Sequence, residues 1–441
     1  MAIKATNKPV PNYVGLSTDI ATTNGGVDYP GETIYLSDSN QLKIVNAAGT
    51  LVDYAPSGNS ADYSIFGTLE TAELEPSIQM DFVYGINSQT GVSTVSNGTV
   101  DTNGGRLRLQ TTTNAAGSAI FRSRKVIRYR AGQGAVARFT AAFTAGKANS
   151  TQIVGVGTAT NGYFFGYNGT SFGICHRNGG SDTWVAEADW NGADATWTKT
   201  NGIPLMIKYP YLGYGNIKFF IQDSITSNWV LVHTIRYANT TATTQLTNPN
   251  MYFYAQALNA NNNTNLIVYV GSVGIFISGK RAFVGGPKWS MDATKASITT
   301  ENNLLTLQNA TSYNGVDNHT LVRIQSISVA SSATTGVSAF RMKLGATVGG
   351  TVAFGAIDGT ITTASGGLTL TTANSMVTYD TGGTTIAGGT MVFSLISDNP
   401  NTSLIDLEPY NIYIAPGERL SITAYSSNSA TVGASVNWVE D

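Results

Sequence analysis

The sequence predicts an all-β protein made of several modules, and three observations support this. Charged residues are only 12% of the 441, whereas glycines number 48, and Thr, Ser and Asn supply most of the polar surface. This composition favours strands and tight turns over helices. Short alternating segments recur between turn residues, with no long amphipathic helix and no short-period repeat. Many short strands with frequent turns are typical of β-sandwiches and jelly rolls.

Turn-rich breaks divide the chain into regions. Residues 1–62 are a short anchor region, in which 31–54 predicts two or three short strands that cannot build a core alone. A central antiparallel β-sandwich is predicted for 63–283. A linker at 284–297 then leads to a C-terminal jelly-roll-like β-sandwich at 298–441, where Leu, Ile and Ala alternate with polar residues near the end.

The strongest local signal is the stretch 163–177, YFFGYNGTSFGICHR, which predicts a β-hairpin. Asn168 and Gly169 suit the two positive φ angles of a type I′ turn. In that register Phe165 faces Phe172 across the hairpin. Two interpretations stay open. The rings build a core while the glycines make room for them, or one face is a groove that stacks sugar rings.

Two glycine-rich stretches, GQGAVA (132–137) and GVGTAT (155–160), resemble phosphate loops. A phosphate loop needs a helix after the glycines. The residues after the first stretch alternate instead, with Ala135, Ala137 and Phe139 on one strand face. We therefore expect strands here and no phosphate site.

The most enzyme-like stretch is 181–197, SDTWVAEADWNGADATW. Its acids and tryptophans are Asp182, Glu187, Asp189, Asp194, Trp184, Trp190 and Trp197. A glycosidase needs two carboxylates that flank a sugar, and the oxygens near Asp189 and Asp194 could hold a calcium ion. Carboxylates are also common in ordinary turns. We favour the turn and predict no catalytic residue.

Several site classes lack their signatures. His176, His233 and His319 are far apart and match no metal spacing, and Cys175 is the single cysteine. The net charge of −2 argues against nucleic-acid binding. No apolar run is long enough to insert into a membrane, and no secretory signal is recognised. We predict no metal and no cofactor.

One basic stretch stands out, FRSRKVIRYR at 121–130. As a strand it would place four arginines on one face: Arg122, Arg124, Arg128 and Arg130. Such a row could bind a carboxylate-rich partner or an anionic glycan through bidentate bonds. The alternative is a solvated face whose charges pair with nearby acids.

Parts of the chain resemble virion proteins of tailed bacteriophages and large viruses. The resemblance lies in RYRAGQGAVARFTAAF, GVGTATNGYFFGYNGTSFGI, MIKYPYLGYGNIKFFI and WVLVHTIRYANTT. The ending APGERLSITAYSSNSATVGASVNWVED is similar to the closing hairpin of C-terminal jelly-roll modules in such proteins. The resemblance covers 120–320 loosely and 410–441 more closely. It implies a capsid decoration protein, head fibre, tail fibre or spike, and supplies no catalytic residue.

We therefore predict a non-enzymatic structural protein of a phage particle, made in the host cytoplasm and working on the virion. Residues 1–62 would bind capsid or tail proteins, and the chain would associate with itself, a trimer being favoured by analogy. A host surface glycan is a further candidate partner. The alternative is a carbohydrate-binding adhesin or a polysaccharide depolymerase. Exposure of Trp184, Trp190 and Tyr211 beside carboxylates would favour that alternative.

Overall fold

The computed structural model describes residues 74–279, 286–359, 373–398 and 402–440, together with four short strands nearer the N-terminus. The chain forms two compact units, Met1–Thr71 and Ala72–Asp441. Helix in the described part is limited to two three-residue 3-10 turns, Glu187–Asp189 and Glu408–Tyr410. The predicted all-β class is confirmed.

The first unit contains one four-stranded sheet, with its strands in chain order. The strands are β1 (Tyr13–Gly15), β2 (Thr33–Leu36), β3 (Gln41–Val45) and β4 (Leu51–Asp53). β1 and β2 are parallel, and the other pairs are antiparallel. The short strands expected within 31–54 are therefore present. The rest of the predicted anchor region 1–62 lies outside the described residues.

A two-sheet sandwich follows. Its strands are β5 (Leu74–Asp81), β6 (Gly91–Ser96), β7 (Thr99–Asn103), β8 (Arg106–Gln110), β9 (Ser118–Ser123), β10 (Ala135–Phe143), β11 (Ser150–Gly157), β12 (Gly162–Asn168), β13 (Ser171–Asn178), β14 (Ser181–Ala186), β15 (Ile203–Tyr209), β16 (Ile217–Gln222), β17 (Trp229–Ile235), β18 (Tyr252–Asn259) and β19 (Ile267–Ser278). One sheet has seven strands in the order β14-β13-β12-β11-β18-β9-β6. The other has the order β17-β16-β15-β10-β19-β8-β7, with β5 also paired to β19.

The core of this sandwich is rich in aromatic rings from both sheets. On β10 the predicted face, including Ala137, Phe139 and Phe143, points into the core. Phe165 and Phe219 meet edge to face across the core, with ring centroids 5.3 Å apart. Such ring pairs stabilise a fold by about 0.5–1.5 kcal/mol beyond the area they bury. The glycine-rich stretch 132–137 leads into β10, and 155–160 begins within the end of β11.

The predicted hairpin is present, but its register differs. Asn168 pairs with Ser171, so Gly169 and Thr170 form the turn, and Phe165 faces Ile174 rather than Phe172. Gly169 has φ of 61°, as in a type II′ turn. The reason is that Asn168 also pairs with β11 on its other side, which keeps it in the strand. The shift preserves which side chains share a face.

The second sandwich occupies the C-terminal part. Its strands are β20 (Lys288–Ile298), β21 (Asn302–Asn309), β22 (Ser312–Tyr313), β23 (Val316–Asp317), β24 (Val322–Ser331), β25 (Val337–Leu344), β26 (Thr347–Gly350), β27 (Gly355–Gly359), β28 (Ala373–Asp380), β29 (Gly383–Ala387), β30 (Thr390–Asp398), β31 (Thr402–Asp406), β32 (Tyr413–Ile414), β33 (Arg419–Ser426) and β34 (Ala430–Glu440). The main sheets run β20-β34-β24-β31, with β32 beside β24, and β27-β28-β21-β33-β25-β30. Two small hairpins, β22-β23 and β26-β29, complete it.

The stretch 284–297, predicted as a linker, is mostly strand. From Lys288 onward it belongs to β20, which pairs with the last strand, β34. The reason is the alternation of Trp289, Met291 and Ala293, which pack towards the C-terminal core. The start of the predicted linker lies outside the described residues.

Each sandwich is closed by its own first and last strands. β5 pairs with β19 in the central sandwich, and β20 pairs with β34 in the C-terminal one. The described part of the chain therefore holds two self-contained cores between 74 and 440.

Candidate functional site

The seven-stranded sheet of the central sandwich buries side chains on both of its faces. One face lines the core. The opposite face, called the outer face below, carries a second apolar cluster, formed by Ile153, Phe164, Cys175 and Tyr254 with Ile120 and Trp184 packed against it. Phe164 is fully buried there, between Gly155 on β11 and Cys175 on β13. Burial also raises the pKa of the Cys175 thiol, which is therefore not a reactive nucleophile.

Glycines leave room for the Phe164 ring. A Cβ atom on Gly157 would lie 2.3 Å from the ring, and one on Gly162 would lie 2.4 Å from it. Any side chain at either position would displace the ring. These two glycines therefore make room for a ring, but they lie before the stretch 163–177. Within that stretch a Cβ on Gly166 or Gly173 would instead meet a backbone oxygen of the neighbouring strand.

An ion pair joins the two sandwiches. Arg124 follows β9, and its guanidinium donates to both carboxylate oxygens of Glu418, with Nε 2.5 Å from Oε1. The same guanidinium donates to the carbonyl oxygen of Tyr413 over 3.0 Å and lies over the Tyr413 ring. A small apolar cluster surrounds this contact, formed by Val126, Tyr252, Leu321 and Ala415. The contact fixes the C-terminal sandwich beside the outer face.

A cleft of about 330 Å³ lies beside this contact, between the outer face and loops of the C-terminal sandwich. The central sandwich contributes Val92, Thr94, Ile120, Arg122, Thr158, Ala159, Thr160, Tyr252 and Tyr254. The C-terminal sandwich contributes Thr311, Asp317, Asn318, His319 and Pro416. Aromatic, charged and hydroxyl side chains from both sandwiches meet in this cleft.

Tyr252 and Arg122 dominate one wall of the cleft. The Arg122 guanidinium lies over the Tyr252 ring, 4.3 Å from its centroid. The His319 ring meets the same Tyr252 ring edge to face, with ring centroids 5.7 Å apart. Tyr252 and Tyr254 are only 5% and 3% exposed, so they offer ring edges rather than flat platforms. Asp317 is exposed on the hairpin β22-β23.

Burial controls protonation in the cleft. It lowers the pKa of His319 below its usual value near 6.5, an effect that Arg122 reinforces and that Asp317 and the Asn250 backbone oppose. His319 is therefore neutral at neutral pH. Within the described part of the chain its Nδ1 has no hydrogen-bond partner. Burial also raises the pKa of Tyr252, so its phenol stays protonated.

The predicted arginine row does not form. β9 ends at Ser123, and Val126 and Ile127 are both buried, so the alternation of a strand is lost beyond that point. Only Arg122 lies in the strand and lines the cleft. Arg124 lies in the ion pair between the sandwiches, while half-buried Arg128 and Arg130 lie beyond the strand.

Trp184 and Trp190, the candidate glycan contacts, also lie in two different places. Trp184 is half-buried on the outer face. Trp190 packs against the core rings of Phe165 and Phe172, and its indole donates to the Val185 carbonyl over 3.3 Å. Tyr211 is buried and donates its hydroxyl to a backbone carbonyl. These residues therefore do not form an exposed platform beside carboxylates, and the sign expected of a carbohydrate-binding adhesin is not found at these three residues.

The carboxylates of 181–197 have structural partners or face solvent. Asp182 accepts two bonds from Arg177, at 2.6 and 3.0 Å. Glu187 pairs with Lys199 at 2.7 Å. Asp189 and Asp194 are exposed, and no cluster of three or more potential metal ligands occurs in the ranges that the structure describes. The turn interpretation accounts for this stretch.

Sequence reasoning missed the cleft residues Tyr252, Tyr254, Asp317 and His319. One signal was present, since Tyr252 and Tyr254 alternate within β18 as residues of one face must. Nothing in the sequence pairs β18 with β9, or brings the hairpin β22-β23 beside them.

Comparisons with known proteins do not assign a family. No family description and no curated protein matches this chain. Solved structures that align with part of it include the Emp47p carbohydrate recognition domain, with a TM-score of 0.32 and 9% identity over 47% of this chain and 98% of that one. Arcelin-5, a lectin-like defence protein from Phaseolus vulgaris, gives 0.31 and 10% over 46% and 98%.

The VIP36 exoplasmic/lumenal domain in its Ca²⁺/Man3GlcNAc-bound form gives a TM-score of 0.33 and 10% identity over 46% of this chain and 89% of that one. At these TM-scores neither the fold nor the ligand of this chain follows from those proteins. No helix in the part of the chain that the structure describes is long and apolar enough to cross a membrane.

Proposed function

We propose that this chain is a non-enzymatic carbohydrate-binding protein, and that a sugar occupies the cleft between the two sandwiches. The observation that carries this proposal is the cleft itself, with its volume of about 330 Å³ and its mixed lining. Sites for small ligands have volumes of roughly 300–1,000 Å³ and combine apolar walls with a few convergent polar groups.

The lining matches the chemistry of a sugar. Arg122 only donates hydrogen bonds, Asp317 only accepts them when ionised, and the hydroxyls of Thr160 and Thr311 do both. Sugar hydroxyls also do both. The apolar parts of the lining, such as Ile120, can contact the C–H faces of a sugar ring.

The same lining supports binding rather than hydrolysis. A glycosidase places two carboxylates across the scissile bond, and among the described residues that line the cleft Asp317 alone carries a carboxylate. We expect no release of saccharides from bacterial polysaccharides by the purified protein. Release that disappears in Glu187→Ala or Asp189→Ala would instead show an enzyme.

The proposal is tested by screening the full-length protein against neutral and acidic oligosaccharides, followed by titration of the best ligand. We expect Asp317→Asn to weaken binding about tenfold, which corresponds to roughly 1.4 kcal/mol. Asp292→Asn, at an exposed position on β20, is the matched control and should bind normally. Absence of any glycan binding, or equal affinity in Asp317→Asn, would contradict the proposal.

We also propose that the chain is displayed on a phage particle, as the sequence resemblance implies, and that its first unit is the anchor. The observation that favours this is the division into separate compact units, Met1–Thr71 and Ala72–Asp441. A protein beginning at Ala72 should fold cooperatively but fail to attach to particles. Attachment of the shortened protein at full occupancy would move the anchor into the sandwiches.

Light scattering of the full chain should give a trimer.

A further inference from the structure

We propose that the sugar bound in the cleft is acidic, and that Arg122 binds its carboxylate. This inference rests on the proposed carbohydrate-binding function and specifies the class of sugar. It starts from a difference among the arginines. Arg108, Arg124 and Arg177 each donate two bonds to a carboxylate of the chain.

Arg122 has no such carboxylate within the described part of the chain. Its hydrogen bond to the carbonyl oxygen of Ser123 is long, at 3.4 Å. A guanidinium carries five N–H donors in a planar fork that matches the two oxygens of a carboxylate. The Tyr252 hydroxyl is a further hydrogen-bond partner of Arg122, and the remaining donors are left for a ligand.

The position of Arg122 is fixed before a ligand arrives. Its guanidinium lies over the Tyr252 ring, and that ring is in turn held by its edge-to-face contact with His319. A guanidinium that is already oriented loses little freedom when it forms a bidentate pair. The strand β9 fixes the backbone below it.

The surrounding charges favour one anionic group in this place. His319 is buried and neutral, so it does not compete with Arg122 for an anion. Asp317 belongs to the C-terminal sandwich, on an exposed hairpin, and does not form an ion pair with Arg122 among the described residues. A ligand with a carboxylate at one end and hydroxyls at the other matches Arg122 and Asp317 together.

The test compares a uronic-acid oligosaccharide with the same oligosaccharide after its carboxyl groups have been reduced to alcohols. The full chain should bind the acid at least tenfold more tightly, and added salt should reduce that preference. Arg122→Gln should bind both forms equally, and Arg122→Lys should keep part of the preference. The control is Arg106→Gln, because Arg106 also lies over a ring, that of Tyr269, but outside the cleft.

Each outcome separates this inference from the function on which it rests. Equal binding of the two oligosaccharides by the unaltered chain would overturn the acidic preference and leave carbohydrate binding intact. A preference that survives in folded Arg122→Gln would place the carboxylate elsewhere. A sulfated oligosaccharide that binds more tightly than the carboxylated one would overturn the assignment to a carboxylate. Failure of every sugar to bind would remove the proposed function itself.

Discussion

The two sandwiches differ in the side chains that fill their cores. The central sandwich fills its core with rings and buries a second group, including Phe164 and Tyr254, on an outer face. The C-terminal core is mainly aliphatic and also buries hydroxyl groups, such as Thr306 and Ser421, which hydrogen-bond to each other at 3.0 Å. The sandwich with the apolar outer face is therefore also the one that supplies more of the cleft lining.

The largest expected effect is the loss of stability when a buried ring is removed from either face of the seven-stranded sheet of the central sandwich. Phe165 in the core and Phe164 on the outer face are neighbours and equally buried. Phe165→Ala should lower the free energy of unfolding by about 3–5 kcal/mol. Phe164→Ala should cost less, about 2–3 kcal/mol, because the outer-face cluster around Phe164 is smaller than the core around Phe165. Urea unfolding measures both, and a cost below about 1 kcal/mol for Phe164→Ala would mean that the outer face is not a second core.

The next effect concerns the contact between the sandwiches. Arg124→Ala leaves the partly buried Glu418 carboxylate without its partner and should cost about 3 kcal/mol. The control is Arg108→Ala, which breaks the more exposed pair with Asp101 and should cost less than about 1 kcal/mol. Separate unfolding transitions of the two sandwiches in Arg124→Ala would confirm that this contact couples them. Equal costs for the two variants would contradict it.

A smaller loss of stability is expected when a glycine inside the seven-stranded sheet is replaced. A Cβ on Gly166 would lie 1.8 Å from the backbone oxygen of Gln152, so Gly166→Ala should cost about 1–3 kcal/mol. Gly202 has open space around it, and Gly202→Ala should change stability by no more than about 1 kcal/mol. Thermal unfolding of the two variants compares them. An unchanged melting temperature in Gly166→Ala would show that the strands at this point can move apart without loss of stability.

The smallest effect is a dependence on pH. Burial lowers the pKa of His176, His233 and His319 below the usual value near 6.5. The unfolded chain then binds more protons than the folded one, so stability is full above pH 6.5 and is lost as pH falls through the folded-state pKa values. The melting temperature should therefore drop between pH 7 and pH 5.

His176→Gln tests the source of that pH dependence. His176 hydrogen-bonds through both ring nitrogens, to the Gln245 carbonyl and the Tyr237 hydroxyl, at 2.6 Å each. The variant should be less stable at pH 7 but should lose less stability on acidification. An unchanged slope with pH would assign the effect to other groups.

The fold class was predictable because strand alternation is local. The core face of β10 could be read from Ala137, Phe139 and Phe143 alone. Register was less predictable, because pairing of Asn168 with β11 outweighed the preference of Asn-Gly for a type I′ turn. The site depends on strand order, which places Arg122 beside Tyr252 although the two are far apart in sequence. Local patterns do not contain that information.

The pairing of first with last strands in each sandwich has a consequence for how the chain is made. When β5 leaves the ribosome, its partner β19 has not been synthesised, and β20 must wait in the same way for β34. Each core therefore closes late, after a long loop has been ordered, which makes folding slow and exposes unpaired edges meanwhile. The same topology brings the two ends of each sandwich together, so that either one could be circularly permuted or transplanted as a cassette into a surface loop of another protein.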